Sequence, residues 1–256
     1  MIPVLLGVTL LVFFIMHLAP GNVAAMILGE NATKEQIAAL EAEMGLDRPL
    51  LIQYLDYLLG LLHGDLGTSY TTGASVTSEI MARFPYTVVL TLVAAVVSIL
   101  LALPLGILAA VKQNTWVDNV SMVVSLIGVS MPIFWLAVML ILFFSLKLGW
   151  FPVYGANSWD SIVLPAISLG FMNMASIART TRSSMVETIR QDYIRTAYAK
   201  GLSKGTIIMR HAFRNGMLPT ITVIGLEIGQ MLGGSVLTET VFAWPGVGRL
   251  MIQSSN

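Results

Sequence analysis

The side chains that could do chemistry are few, and the familiar constellations are missing. The chain has no cysteine and three scattered histidines, so neither a disulfide framework nor a thiolate metal site can form, and no HExxH spacing supplies a zinc site. It has no Walker A phosphate loop and no GxSxG nucleophile elbow. Gly246 and Gly248 lack the strand and helix context that a nucleotide fingerprint needs. No ladder of carboxylates or histidines runs through the apolar segments, as a proton-coupled carrier would require. The expectation is therefore no catalytic residue, no cofactor and no metal.

Two features remain. Glu227 is read as the one ionisable residue deep in an apolar run. A charge there is costly, so it should face a pore, the bundle interior or a hydrogen-bonding partner. It would either line a translocation path and meet a substrate amine, or serve as a neutral acid bonded to a neighbouring helix. Gly225, Gly229 and Gly233 repeat at small-xxx-small spacing, well off Glu227, and would let another helix approach closely. The second feature is the basic segment from Arg179 to Arg214. It carries eight of the fourteen basic residues of the chain, against Glu187 and Asp192. Met185, Ile189 and Tyr193 recur every four residues, with Val186 and Ile194 alongside, which predicts an amphipathic helix. Ala197, Ala199 and Gly201 then allow a tight turn before a second helical run from Thr206 to Asn215. A basic helix-turn-helix can bind DNA, but tethering between membrane spans argues against nucleic acid. A polybasic patch against anionic lipid and a docking surface for a cytosolic partner are the remaining readings, and docking is preferred.

The elements that hold these features are membrane spans. Hydrophobic residues make up 56% of the 256 residues and charged ones 11%, against about a quarter charged in a soluble domain. Five apolar segments stand out: Ile2–Leu18, Tyr86–Val111, Val120–Leu146, Ile162–Ala178 and Met217–Leu237. The first competes with a signal peptide, but no basic region precedes it and no clean cleavage site follows; Ala19-Pro20-Gly21 is its expected stop. Pro104 and Gly106 fall inside the second span and Ser130-Met131-Pro132 inside the third, where Pro132 is a candidate moving part of a path. Residues 19–85 form a long polar, acidic stretch. Within it Thr33–Met44 predicts a short helix, with Thr33 and Gln36 as a capping box and Gly45 closing the end. Trp150, Phe151, Tyr154 and Trp159 resemble an interfacial aromatic belt. Asn31 and Asn119 open glycosylation-type triplets of the kind expected by chance.

Lys/Arg-rich short loops lie in the cytosol, which puts Arg179–Arg214 inside. Alternation then puts the N-terminus inside, the acidic 19–85 loop outside, Lys112 inside, and the aromatic loop and Asn256 outside. Charge and parity agree at every loop. By the same parity a sixth span is expected to follow. The domain reading is 1–18 as the first span, 19–85 as an extracytoplasmic loop region, and 86–256 as a transmembrane core carrying a cytosolic loop at 179–214.

The run RTAYAKGLSKGTIIMRHAFRNGMLP resembles the cytosolic loop of binding-protein-dependent ABC importer permeases, in their dipeptide/oligopeptide/nickel subgroup. The generic loop reads EAA, three residues, Gly; here Arg195-Thr196-Ala197 and Gly201 take those places, so only the last Ala and the Gly match. HLAPGN, MGLDRPL, GDLGTSY, SMPIFWLA, MASIARTTRSSMVETIRQDYIRTA and TETVFAWPGVGRLM extend the resemblance over nearly the whole chain, and GANSW is closest to dipeptide-type and glutathione-type permeases. The resemblance implies an all-α polytopic bundle of the type I ABC importer permease fold. Arg195, Thr196, Ala197, Tyr198, Ala199, Lys200, Gly201 and Leu202 would form a coupling loop seated in an ATPase cleft. Further expectations are a second homologous permease subunit, two ATP-binding cassette subunits, an extracytoplasmic substrate-binding protein received by the 19–85 loop, and a place in the cytoplasmic membrane bilayer. The cargo would be dipeptides, oligopeptides, glutathione or nickel. The rival reading, an ion-coupled secondary transporter, needs intramembrane ion sites or paired broken helices.

Overall fold

A computed structural model describes residues 2–18, 23–29, 32–69 and 72–254. The expected stop at Ala19-Pro20-Gly21 lies outside the described residues, as do Asn31 and Asn256. Among the described residues the regular elements are all helices, joined by turns and loops, with one isolated bridge between Thr68 and Ser75 and no strand. The chain divides into two compact units, Met1–Met81 and Ala82–Asn256.

The first unit contains α1 (Ile2–Leu18), α2 (Val23–Leu28), α3 (Lys34–Glu43) and α4 (Leu50–Leu62). Phe13 is the buried residue of α1, and its ring meets Tyr54 and Tyr57 of α4 at 5.3 and 6.1 Å. His17 Nε2 pairs with Gln53 Oε1 at 2.9 Å beside them. The rest of α1 leaves its leucines, isoleucines and valines bare. Helix α3 starts as its sequence dictates: Thr33 accepts the Gln36 N–H, and the Gln36 side chain accepts the Thr33 N–H at 2.9 Å. Helix α4 was hidden in the sequence by the acidic composition around it.

The second unit is built on α8 (Val163–Ile189). Upstream of it run α5 (Val76–Val111), α6 (Trp116–Ser130) and α7 (Ile133–Leu140), the last continuing as a π-helical stretch to Lys147. Downstream come α9 (Asp192–Ala199), α10 (Lys204–Thr206), a π-helical stretch Ile207–Ala212, α11 (Phe213–Gly234), α12 (Val236–Val241) and α13 (Val247–Ser254). Helices α6, α7, α11 and α12 all pack on α8. Of the apolar window of the Trp159–Ile189 helix 61% is buried, against 33% for α5, so α8 is the central post. Helix α5 crosses it closely because two glycines remove the obstacle. A Cβ at Gly170 would stand 2.7 Å from the Ala94 carbonyl oxygen, and one at Gly106 would stand 2.7 Å from that of Ala178. Ser98 Oγ uses the same contact to donate to the Gly170 carbonyl at 2.8 Å.

By length and apolarity, α5 and Trp159–Ile189 can each cross a membrane. The expected third span differs from its sequence reading. It is two helices, Trp116–Ser130 and Ile133–Lys147, bent 99° from each other. Pro132 has no N–H to continue the ladder, and Met131 before it is extended (φ −82°, ψ 130°), as a residue preceding proline prefers. The expected first span is a 17-residue helix. The expected fifth, α11, has its apolar run diluted by Glu227, Gln230 and its glycines, and falls short of α5 in apolarity. Helix α5 also starts ten residues earlier than expected, running through Pro85.

Candidate functional site

The segment after α8 forms a small helix held by two anchors. Helix α8 ends at Ile189, and Gln191 is extended (φ −69°, ψ 150°), so α9 starts in a new direction. The four-residue repeat through Tyr193 had predicted one continuous helix, which this break corrects. The reason lies in Ile194 and Ala197, three residues apart on one face of α9. They are 1% and 6% exposed and pack with Ala110, Met185, Ile207 and Ala212. Burying that pair requires α9 to fold back across the cluster. Asn215 Nδ2 donates to Tyr193 Oη at 3.0 Å and ties α9 to α11.

Everything else in the loop points outward. Arg195, Thr196, Tyr198, Ala199, Lys200, Gly201 and Leu202 are all exposed, with Ala197 the buried member of the set. Gly201 has φ +75°, a left-handed conformation that glycine adopts without the Cβ penalty. A Cβ there would meet nothing within 4 Å. Ser203 then caps α10 by accepting the Thr206 N–H. The Arg195–Asp192 ion pair, at 3.6 Å with both side chains over 80% exposed, contributes little to this shape. The result is an eight-residue helix anchored on one face, followed by a glycine turn, with an exposed crest of polar and aromatic side chains.

The two candidate path residues lie on different elements, α11 and the start of α7. Glu227 is half-buried on α11 and makes no hydrogen bond or ion pair with the described residues. Among the described residues no neighbouring helix bonds to Glu227, as the neutral-acid reading would require. Pro132 is exposed at the α6–α7 bend. A Cβ on Gly225, Gly229 or Gly233 would meet no described residue within 4 Å, so their stripe faces away from the bundle.

Sequence reasoning missed two carboxylates. Glu239, not Glu227, is the acid that is wholly enclosed (0% exposed). Its Oε1 accepts from Thr87 Oγ1 and Ser235 Oγ, both at 2.8 Å, and its Oε2 accepts from the Arg249 backbone N–H at 3.1 Å. Thr87 Oγ1 in turn accepts the Val247 N–H at 2.9 Å. The first-turn amides of α13 are therefore capped by side chains from α12 and α5. A Cβ on Gly246 would overlap the Glu239 carboxylate, and one on Gly248 would stand 2.7 Å from Val236 Cα, which explains both glycines of the PGVG run. Trp244 Nε1 donates to the Tyr86 carbonyl at 3.0 Å and closes the same junction.

Asp118 is the other. In the first turn of α6 and 3% exposed, it takes both oxygens to Arg182 of α8 (Nε to Oδ1 and Nη2 to Oδ2, each 2.6 Å), and its Oδ2 also accepts the Asn114 N–H. Arg182 had been counted only as one charge of the basic segment; it is a brace between two helices. In the sequence Asp118 stood just before the expected third span, in a short loop, where it drew no notice.

The comparisons with known proteins agree with this architecture. Residues 102–256 match the family model described as "Binding-protein-dependent transport system inner membrane component", and residues 1–91 match the model of the N-terminal part of such membrane components. The chain is 44% identical over 284 aligned residues to the dipeptide transport system permease protein DppB of Alkalihalophilus pseudofirmus, covering 100% of this chain and 85% of that one. It is 41% identical to the glutathione transport system permease protein GsiC of Escherichia coli K12, over 99% of this chain and 83% of that one. Among solved structures, an amino acid ABC transporter matches with TM-score 0.53 at 16% identity, covering 70% of this chain and 79% of that one. The inward-facing MetNI methionine ABC transporter matches with TM-score 0.55 at 19% identity, over 68% and 79%. These two likenesses speak for the fold, a helical type I permease bundle. ATP hydrolysis in such systems resides on separate subunits, and the permease works with ATP-binding and substrate-binding partners. The family match, not the single bend at Pro132, answers the rival reading of an ion-coupled secondary transporter. The chain belongs to the family of inner-membrane components of binding-protein-dependent transport systems, and is a multi-pass permease subunit of an ABC importer.

Proposed function

We propose that this permease imports dipeptides or similarly small peptides, glutathione included, and that the α9–Gly201 projection is where ATP hydrolysis is felt. The observation that carries the coupling role is the division of the loop into two buried anchors, Ile194 and Ala197, and an otherwise exposed crest from Arg195 to Leu202. A projection held this firmly transmits a push to α8 and α11 rather than absorbing it. The substrate class rests on the relatives, a dipeptide transport permease and a glutathione transport permease.

In this reading the basic segment lies in the cytosol, as does the start of α1, and residues 19–85 face outward to receive the substrate-binding protein. A second, similar permease subunit completes the path, and each permease engages one of two ATPase subunits. The bare stripe of Gly225, Gly229 and Gly233 would accept a helix of that second subunit. Glu227, half-buried and without a partner among the described residues, and the bend at Pro132 line the path.

Proteoliposomes holding this chain, its partner permease and the two ATPases test the proposal. Addition of the loaded binding protein should stimulate hydrolysis and drive uptake of a labelled dipeptide. Stimulation by nickel or a long oligopeptide alone would overturn the substrate class. Uptake unaffected by loss of the ATPases would overturn the coupling role.

A further inference from the structure

The charge at the end of α8 is not all engaged in the brace to α6. Arg182 is satisfied by both oxygens of Asp118. Arg179, one turn earlier on α8, is exposed and makes no hydrogen bond or ion pair with the described residues. The two arginines line an open recess of about 430 Å³ between α6 and α8, whose other walls are Met122, Val123 and Leu126. Asp118 neutralises one guanidinium, so the recess keeps one uncompensated positive charge, that of Arg179, above a hydrocarbon floor.

The depth of each group decides what fits. Asp118 lies in the first turn of α6, directly after the short connection from α5, so it marks the membrane edge on that side. Arg182 is bound to it and shares that level. Met122 and Leu126 come four and eight residues further along α6, which puts them about 6 and 12 Å deeper at the rise of an α-helix. Arg179 precedes Arg182 by three residues on α8, which runs opposite to α6, so it stands about 4.5 Å deeper, level with Met122. The recess therefore grades from cationic in its outer part to apolar at Leu126. A free anion would match only the mouth. A zwitterionic lipid would bring its own cation to Arg179. Pockets of this kind between membrane helices suit anionic headgroups.

We infer that the recess holds one anionic phospholipid of the cytosolic leaflet, its phosphate against Arg179 and an acyl chain along Met122, Val123 and Leu126. The inference rests on the sidedness proposed above, in which the α5–α6 connection is cytosolic. Because Arg182 already serves the brace, Arg179 is the residue whose charge responds to the lipid.

The assembled transporter is the object to test, in nanodiscs of phosphatidylcholine alone or with phosphatidylglycerol, beside an Arg179→Gln variant. Native mass spectrometry should find about one retained phosphatidylglycerol per copy of this chain, and phosphatidylglycerol should raise the melting temperature of the wild-type complex. Arg179→Gln should lose both effects while keeping the wild-type rate of hydrolysis in phosphatidylcholine. Equal retention by the variant would overturn the inference. So would the same stabilisation from soluble glycerol 3-phosphate, which would mark a small-anion site, or slow uptake by the variant in phosphatidylcholine, which would mark a surface facing the path or a partner subunit. A Lys112→Cys variant labelled only from the extracytoplasmic side would overturn the sidedness instead, so the two failures are distinguishable.

Discussion

Replacing Glu239 should loosen α13 in two graded steps. In Glu239→Gln the amide oxygen can still accept from Thr87 and Ser235, but its NH2 group then faces the Arg249 N–H that Oε2 now accepts. One charge-assisted bond is lost and a buried donor is left unpaired, a cost of about 1.5–3 kcal/mol. Glu239→Leu removes both acceptor oxygens and with them all three hydrogen bonds. The hydroxyls of Thr87 and Ser235 can turn back to carbonyls of their own helices, so the three losses do not simply add, and the total is about 3–5 kcal/mol. Hydrogen exchange of the α13 amides in the solubilised transporter reads this directly. If the helix opens locally, the Gln variant should exchange about 10- to 150-fold faster at Val247 and Arg249, and the Leu variant faster still. Exchange along α8 should stay as it was. Equal exchange in both variants and the wild type would refute the reasoning, because the carboxylate would then cap nothing.

Asp118→Asn should destabilise the bundle by about 3 kcal/mol, since it strips the partner from a largely enclosed guanidinium, and Asp118→Leu combined with Arg182→Leu should recover much of that loss; thermal unfolding of the complex checks both. Gly201→Ala should cost about 1–2 kcal/mol through its left-handed backbone alone, because its Cβ meets open space. Gly201→Arg should insert into membranes normally yet abolish uptake, and normal uptake by that variant would count against the docking role. Glu227→Gln should slow uptake less than Glu227→Leu if hydrogen bonding rather than charge serves the path; equal damage from the two would contradict this.

Features decided by neighbours in sequence were legible before the fold was known. The capping box at Thr33 and Gln36 lies within one turn, and the left-handed turn at Gly201 is local backbone chemistry. Features decided at a distance were not. Glu239 finds Thr87 across 152 positions and Asp118 finds Arg182 across 64, so neither carboxylate announces its partner. Glu227 drew notice because the residues around it are apolar; Glu239, flanked by two threonines, looked like part of a polar turn although it is the more enclosed. The break at Pro132 was visible as a proline, but its size was not, because proline in a membrane helix is compatible with anything from a slight kink to the observed 99°. Helix α4 was lost by averaging over an acidic stretch, although Leu50–Leu62 carries only Asp56 as a charge. Of the coupling set, the sequence could not tell that Ala197 is an anchor while its neighbours form the crest. That distinction needs the cluster of Met185, Ile207 and Ala212.

The absence of cysteine from the chain makes the central claim directly accessible. A single cysteine placed at Ala199, on the exposed crest of α9, can be oxidised against single cysteines lining the cleft of the ATPase subunit in an otherwise cysteine-free transporter. The account predicts an efficient cross-link from Ala199→Cys that stops dipeptide uptake and is reversed by reductant, and no ATPase cross-link from Tyr154→Cys in the aromatic loop. A transporter that hydrolyses ATP and imports normally while Ala199→Cys finds no partner, or one in which Tyr154→Cys finds the ATPase instead, would contradict it.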